Sequence, residues 1–170
     1  MTGKWIGALL IIASCGGLGF SMATARRKEE ALLRNLISAL DYMQCELQYR
    51  LTPLPDLCRL VGKEQKGSIG IFFRNLSLEL ENQISPDVSS CVRAALAQMN
   101  PFPESTKKAI DMLGQLLGRF DAQGQLRGLE QVRQYCRETV DRLSENKEVR
   151  LRSYQTLGLC AGAALAILFV

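Results

Sequence analysis

The side chains best able to do chemistry are few and scattered. Histidine, the commonest general base, is absent. The carboxylates Glu79 and Glu81 alternate along one segment, a pattern of solvation rather than of an acid and a base sharing a site. Serines fall in turns or at helix starts, and there is no nucleophile elbow, P-loop or paired-glycine phosphate fingerprint. The six cysteines, Cys15, Cys45, Cys58, Cys91, Cys136 and Cys160, form no C-x-x-C pair. Their wide spacing and the lack of histidine argue against a metal site, so in a cytoplasmic domain they read as small, buried, reduced side chains. No motif here carries a reaction mechanism, so the chain is expected to be no enzyme and to take no cofactor.

The elements that position these residues are helical. Leu33, Leu36, Ile37, Leu40, Met43 and Leu47 recur at three- and four-residue spacing, which predicts an amphipathic helix over 26–50. Thr52-Pro53 then turns the chain, threonine as N-cap and proline at the first helical position, ahead of a short helix from Leu54 to Glu64. Gly67-Ser68-Ile69-Gly70 is expected to be a loop, followed by a third helix carrying Phe72, Phe73, Leu76, Leu78 and Leu80. Ser85-Pro86-Asp87 repeats the cap-plus-proline start for a fourth helix through Met99. Asn100-Pro101-Phe102-Pro103 is the clearest break, with a fifth helix from Glu104 to Phe120 beyond it. Asp121 to Gly124 makes the next turn, and Leu126, Leu129, Val132, Cys136, Val140 and Leu143 continue at helical spacing. No period-two strand pattern appears.

Apolar content is concentrated at the two ends. Trp5 to Ala25 is 21 residues without a charge, ~31 Å as a helix and long enough for a bilayer core. Ser153 to Val170 is 18 such residues, ~27 Å and at the lower edge of the spanning range. The expected organisation is an N-terminal transmembrane anchor (1–25), an all-α six-helix bundle (26–152) and a C-terminal transmembrane helix (153–170). Ala23-Thr24-Ala25 and Ile12-Ala13-Ser14-Cys15 offer the competing reading of a processed signal or lipoprotein leader. Export would put Arg26, Arg27 and Lys28 on the wrong side of the membrane. Those cations follow the first span, and Lys147, Arg150 and Arg152 precede the second, so the positive-inside rule turns the bundle toward the cytoplasm.

The net charge is only +4, with a pI near 8.8. The basic residues sit beside the apolar ends, where they meet anionic membrane lipids. No basic face interleaved with aromatics points to nucleic acid. Gly158 and Gly162 form a G-x-x-x-G in the second span, which lets helices pack closely against each other, against a partner or against a second copy of the chain. Gly114 and Gly118 repeat that spacing in a helix of the bundle and imply close helix packing there.

Three segments carry a family pattern. Glu46-Leu47-Gln48-Tyr49-Arg50-Leu51-Thr52-Pro53-Leu54 resembles an E-[hydrophobic]-x-Y-x-x-T-P-L stretch. Leu117-Gly118-Arg119-Phe120-Asp121-Ala122-Gln123-Gly124-Gln125 is similar to L-G-x-x-D-x-x-x-Q, and Leu157-Gly158 with Gly162 matches in the last span. In this order, between two apolar ends, they resemble the stage III sporulation protein AB family. Some relatives carry smaller or more polar residues at Arg50-Leu51.

The resemblance implies a fold like the cytoplasmic helical domains of type II secretion and type IV pilus platform proteins. It also implies a place in the channel apparatus between mother cell and forespore. The partners it implies are a secretion-type ATPase of the same operon and other channel subunits. Tyr49 is expected as a buried anchor with its hydroxyl bonded. Thr52 and Pro53 are expected in capping. Glu46, Asp121 and Gln125 are expected beside two turns, bonding exposed amides. Partner contact is the other role open to these residues. A two-pass receptor with a ligand-sensing bundle is the alternative function, and it would call for reversed flanking charges.

Overall fold

Apolar residues at helical spacing build six helices in a computed structural model, which describes the backbone of residues 2–82, 87–117 and 123–145 and side chains from Thr24 onward. The first, α1 (Thr2–Arg50), is one helix of 49 residues. The expectation that the N-terminal apolar stretch continues straight into the bundle is met in its backbone. Leu33, Leu36, Leu40, Met43 and Leu47 all face the core. Each fully buried side chain of this size contributes ~1.5–3 kcal/mol relative to exposure.

α2 (Leu54–Glu64) has the expected bounds, but its start differs. Pro53 is the N-cap, its carbonyl accepting the Leu57 amide at 2.9 Å, and no side chain caps this end. The Thr52 hydroxyl is turned back to α1 instead.

α3 (Gly67–Glu81) contradicts the expected loop at 67–70. Gly67 makes the turn with a φ of 70°, and Ile69 and Gly70 are already helical and buried. A Cβ on Gly70 would lie 2.0 Å from the Gln65 carbonyl oxygen. This glycine therefore permits a close α2–α3 approach. Behind it, Phe72 and Phe73 pack edge to face with centroids 5.2 Å apart. The Arg74 guanidinium donates to the Gly62 carbonyl at 2.6 Å and closes the hairpin.

α4 (Val88–Ala97) begins after Asp87 and stops two residues short of Met99; the expected Ser85-Pro86 start lies outside the described residues. α5 (Glu104–Leu116) follows the proline break, and the chain becomes extended at Leu117, so the helix ends earlier than the expected Phe120. Gly114 packs as its spacing implied: a Cβ there would lie 3.0 Å from Val92 of α4. Gly118 lies outside the described residues. α6 (123–145) takes in Gly124, which was expected in the turn. It buries Leu129, Val132, Cys136 and Val140. There is no strand among the described residues.

Cross-links between helices fix their directions. Ser105 at the start of α5 bonds Glu29 of α1. Lys108 lies over the Tyr135 ring at 5.5 Å, and a Cβ on Gly128 would lie 2.9 Å from Leu116. As α5 ascends, its partners on α6 descend, so α5 and α6 are antiparallel. Arg133 of α6 meets Asp41 of α1 at 2.7 Å. Together these contacts run α1 and α5 upward and α6 downward.

Among the described residues, no helix is long and apolar enough to cross a membrane. The expected flanking transmembrane helices gain no support from the structure: 153–170 and the side chains of 1–23 lie outside the description. Cys58, Cys91 and Cys136 are buried as expected, whereas Cys45 is exposed on α1. Its position between Met43 and Leu47 puts it off the core stripe of that helix.

Candidate functional site

The last turn of α1 and the residues leading into α2 gather the first motif around one carboxylate. Glu46 is only 9% exposed. Arg50, one turn on, places its guanidinium 3.4 Å from Glu46 Oε1. Thr52 donates its hydroxyl to Glu46 Oε2 at 3.4 Å. The carboxylate thus joins the helix it belongs to with the chain that leaves it, and does not bond exposed amides as the sequence implied. Tyr42, one turn earlier, has its phenol raised above the ordinary value first by burial, then by the negative charges of Glu46 and Glu64. A hydrogen bond with Glu46 adds to that shift.

Outward from this clasp the surface is apolar and aromatic. Tyr49 is 77% exposed and Leu51 is 69% exposed. The expectation of Tyr49 as a buried anchor is therefore wrong. Its position three residues after Glu46 and two after Leu47 carries it off the buried stripe that ends at Leu47. Leu51 takes a φ of 50°, the left-handed region, where a branched side chain costs ~1–2 kcal/mol. That conformation ends α1 and leaves the leucine in water. Arg50 also points outward, with a 72% exposed side chain. Tyr49, Arg50 and Leu51 form a tip that the inward Glu46–Thr52 contact holds in place. Leu51 had no role in the sequence reading beyond its departure from relatives. Its left-handed φ is a tertiary outcome that residue type does not signal.

Asp121 of the second motif lies outside the described residues, as do Gly158 and Gly162. Gln125 sits half-buried in the first turn of α6 and has an interaction partner. From the Asp41–Arg133 contact, nine residues forward on α1 and nine back on α6 reach Arg50 and Gly124. Both paths are ~14 Å at helical rise. Arg50 of the first motif and Gln125 of the second therefore belong to one end of the bundle, and Glu29 and the end of α6 belong to the other.

That arrangement, a helical bundle with its signature residues at one end, can be set beside known proteins. A family model described as stage III sporulation protein AB matches residues 4–170. The chain belongs to that family. Membership carries a role in sporulation. Among solved structures, one titled "Stage III sporulation protein AB (SpoIIIAB)" is similar with a TM-score of 0.63 and 16% identity, covering 72% of this chain and 98% of its own. At that identity the likeness speaks for the fold alone. No curated protein matches by sequence.

Proposed function

We propose that this chain is a non-enzymatic membrane platform subunit of a sporulation-specific, secretion-like channel complex between mother cell and forespore. In this reading its apolar ends anchor it in the membrane and its bundle faces the mother-cell cytoplasm. The tip of the bundle docks a secretion-type ATPase encoded in the same operon. Membership in the sporulation family supports the setting, and the flanking cations Arg26, Arg27 and Lys28 support the orientation.

The observation that carries the docking reading is the exposed Tyr49–Leu51 tip. An aromatic, an arginine and a leucine stand together in water at the end of the bundle away from Glu29. Tyrosine and arginine are enriched among residues that dominate binding energy at protein interfaces. Keeping Leu51 in a left-handed conformation is unfavourable for the free chain, which fits a surface shaped for a partner.

The test is co-purification of the ATPase with the full chain from membranes. Tyr49→Ala and Arg50→Glu are each expected to lower the recovered ATPase ~30-fold, the scale of a ~2 kcal/mol interface residue. Circular dichroism and the melting temperature are expected to stay near the parent's. Undiminished recovery with both changes combined would show that this tip is not the docking surface. Orientation is read separately, from a Glu64→Cys chain lacking its native cysteines. Its thiol is expected to resist a membrane-impermeant reagent in intact cells.

A further inference from the structure

The opposite end of the bundle carries a second surface. Glu29 lies four residues past Ala25, the last residue of the uncharged N-terminal stretch, and both belong to the unbroken α1. Only ~6 Å of helix separates them. Because Ser105 bonds Glu29, the connection from α4 to α5 is held within about one turn of the place where α1 would enter a bilayer. That connection presents exposed Asn100 and Pro101 and half-buried Met99 and Phe102. An open cleft of about 590 Å³ runs beside it between α4 and α5, with exposed Arg93 and Lys107 on its walls.

We propose that this corner is an additional membrane contact, lying on the surface of an anionic bilayer. Phe102 and Met99 sit at the boundary of headgroups and acyl chains, and Arg93 and Lys107 receive lipid phosphates in the cleft. The inference rests on the membrane-anchor reading of the apolar ends, and adds a surface more than 70 residues further along the chain. Three observations choose lipid as the occupant. The corner is tied by a side-chain bond to the helix that leads to the apolar stretch. It sets the Phe102 ring and Met99 beside the cations Arg93 and Lys107, the pairing of apolar and basic side chains that settles at membrane interfaces. Its neighbours on α1 are Arg26, Arg27 and Lys28, which with Arg93 and Lys107 make five cations against the carboxylates Glu29 and Glu30 on α1 and Glu104 and Asp111 at the cleft. Exposed basic side chains beside the bilayer are drawn toward anionic headgroups.

The experiment places a single tryptophan in the full chain. In a Trp5→Phe background, Phe102→Trp is reconstituted into phosphatidylcholine/phosphatidylglycerol vesicles with and without brominated acyl chains. Emission from position 102 is expected to be lost in the brominated vesicles. Tyr49→Trp in the same background, ~30 Å further along α1 from Glu29, is expected to keep its intensity. Asn100→Trp, in the exposed part of the corner, supplies a second reporter should Phe102→Trp fail to fold. Combining either reporter with Lys107→Glu is expected to reduce quenching in the anionic vesicles. Unquenched emission from 100 and 102, with the protein still in the vesicles after alkaline extraction, overturns this contact and leaves the anchors standing. Release of the protein by alkaline extraction overturns the anchors and this contact with them.

Discussion

Asp41 on α1 and Arg133 on α6 are joined by a hydrogen bond of 2.7 Å across 92 residues of chain. The link ties the first helix of the bundle to its last, and Arg133 also pairs with Glu130 one turn earlier on its own helix. The antiparallel register it records brings Arg50, at the end of α1, and Gln125, at the start of α6, to one end of the bundle and Glu29 to the other.

The energetic weight of that link is modest. Both side chains are partly exposed, 45% for Asp41 and 21% for Arg133. A double-mutant cycle with Asp41→Ala and Arg133→Ala is expected to give a coupling of ~0.5–1 kcal/mol. It is read by thermal unfolding of the detergent-solubilised chain, and is expected to shrink in 1 M salt, where the screening length is ~3 Å. A coupling above ~2 kcal/mol would mean that this contact is far less solvated than its exposure implies.

Gly114 and Gly70, both close to a neighbouring helix, are expected to behave differently. Replacing a helical glycine with alanine gains ~1 kcal/mol of intrinsic helix stability. At Gly114 the new methyl meets Val92 Cγ2 at 3.0 Å, Val92 Cβ at 3.2 Å and the Ser89 Cα at 3.4 Å, a crowding that small helix movements relieve, so Gly114→Ala is expected to cost ~1–2 kcal/mol. At Gly70 it meets the Gln65 carbonyl oxygen at 2.0 Å, and backbone cannot yield that far. Gly70→Ala is expected to cost ~3 kcal/mol or more, seen as a lost or sharply lowered melting transition.

Gly70 also marks the limit of what the residues reveal on their own. The helices were legible because Leu33, Leu36, Leu40 and Met43 repeat at a period only a buried helix face requires, and Asn100-Pro101-Phe102-Pro103 breaks that period. Gly67-Ser68-Ile69-Gly70 looks like a loop by composition. Its second glycine answers to the Gln65 carbonyl across the turn, a contact no local pattern encodes. Tyr49 misled for a related reason. An aromatic in a motif invites burial, and one helical step decides whether it faces Leu47's neighbours or water. The candidate site was legible in its members and illegible in which of them point inward.

The buried thiols give a pH dependence. Burial pushes Cys58 and Cys136 up to about 12, against an ordinary value of 9.0. Between pH 9 and 12 the unfolded chain releases thiol protons that the native chain retains, so stability falls as pH rises. Below about pH 8 neither thiol contributes to the slope. Each contributes at most ~1.4 kcal/mol per pH unit within that window. Cys58→Ala with Cys136→Ala is expected to flatten the alkaline decline in melting temperature, even though the starting stability is lower. At neutral pH, peptide mapping after a brief thiol-reagent pulse is expected to find label on exposed Cys45 before Cys58, Cys91 or Cys136.

The clasp and the tip at the end of α1 are expected to separate under mutation. Thr52→Val keeps the shape of the side chain and removes the hydroxyl that Glu46 accepts at 3.4 Å. A long, part-buried bond of this kind is worth ~0.5–1.5 kcal/mol, and its loss leaves a largely buried carboxylate one partner short. Glu46→Gln removes the charge that Arg50 meets, but Arg50 is mostly exposed, so that loss is expected to stay below ~1 kcal/mol. Tyr49→Ala touches no buried surface and is expected to leave stability within ~0.5 kcal/mol of the parent. Leu51→Gly is expected to raise stability, because glycine adopts the φ of 50° without the steric cost a leucine bears. The gain is expected near ~1 kcal/mol, read as a higher melting temperature of the full chain in detergent. If ATPase recovery drops in the more stable Leu51→Gly chain, the leucine is kept for contact rather than for folding. A Leu51→Gly chain less stable than the parent by more than the ~1 kcal/mol of chain entropy that glycine adds would show that the leucine packs in solution and that the tip is not exposed.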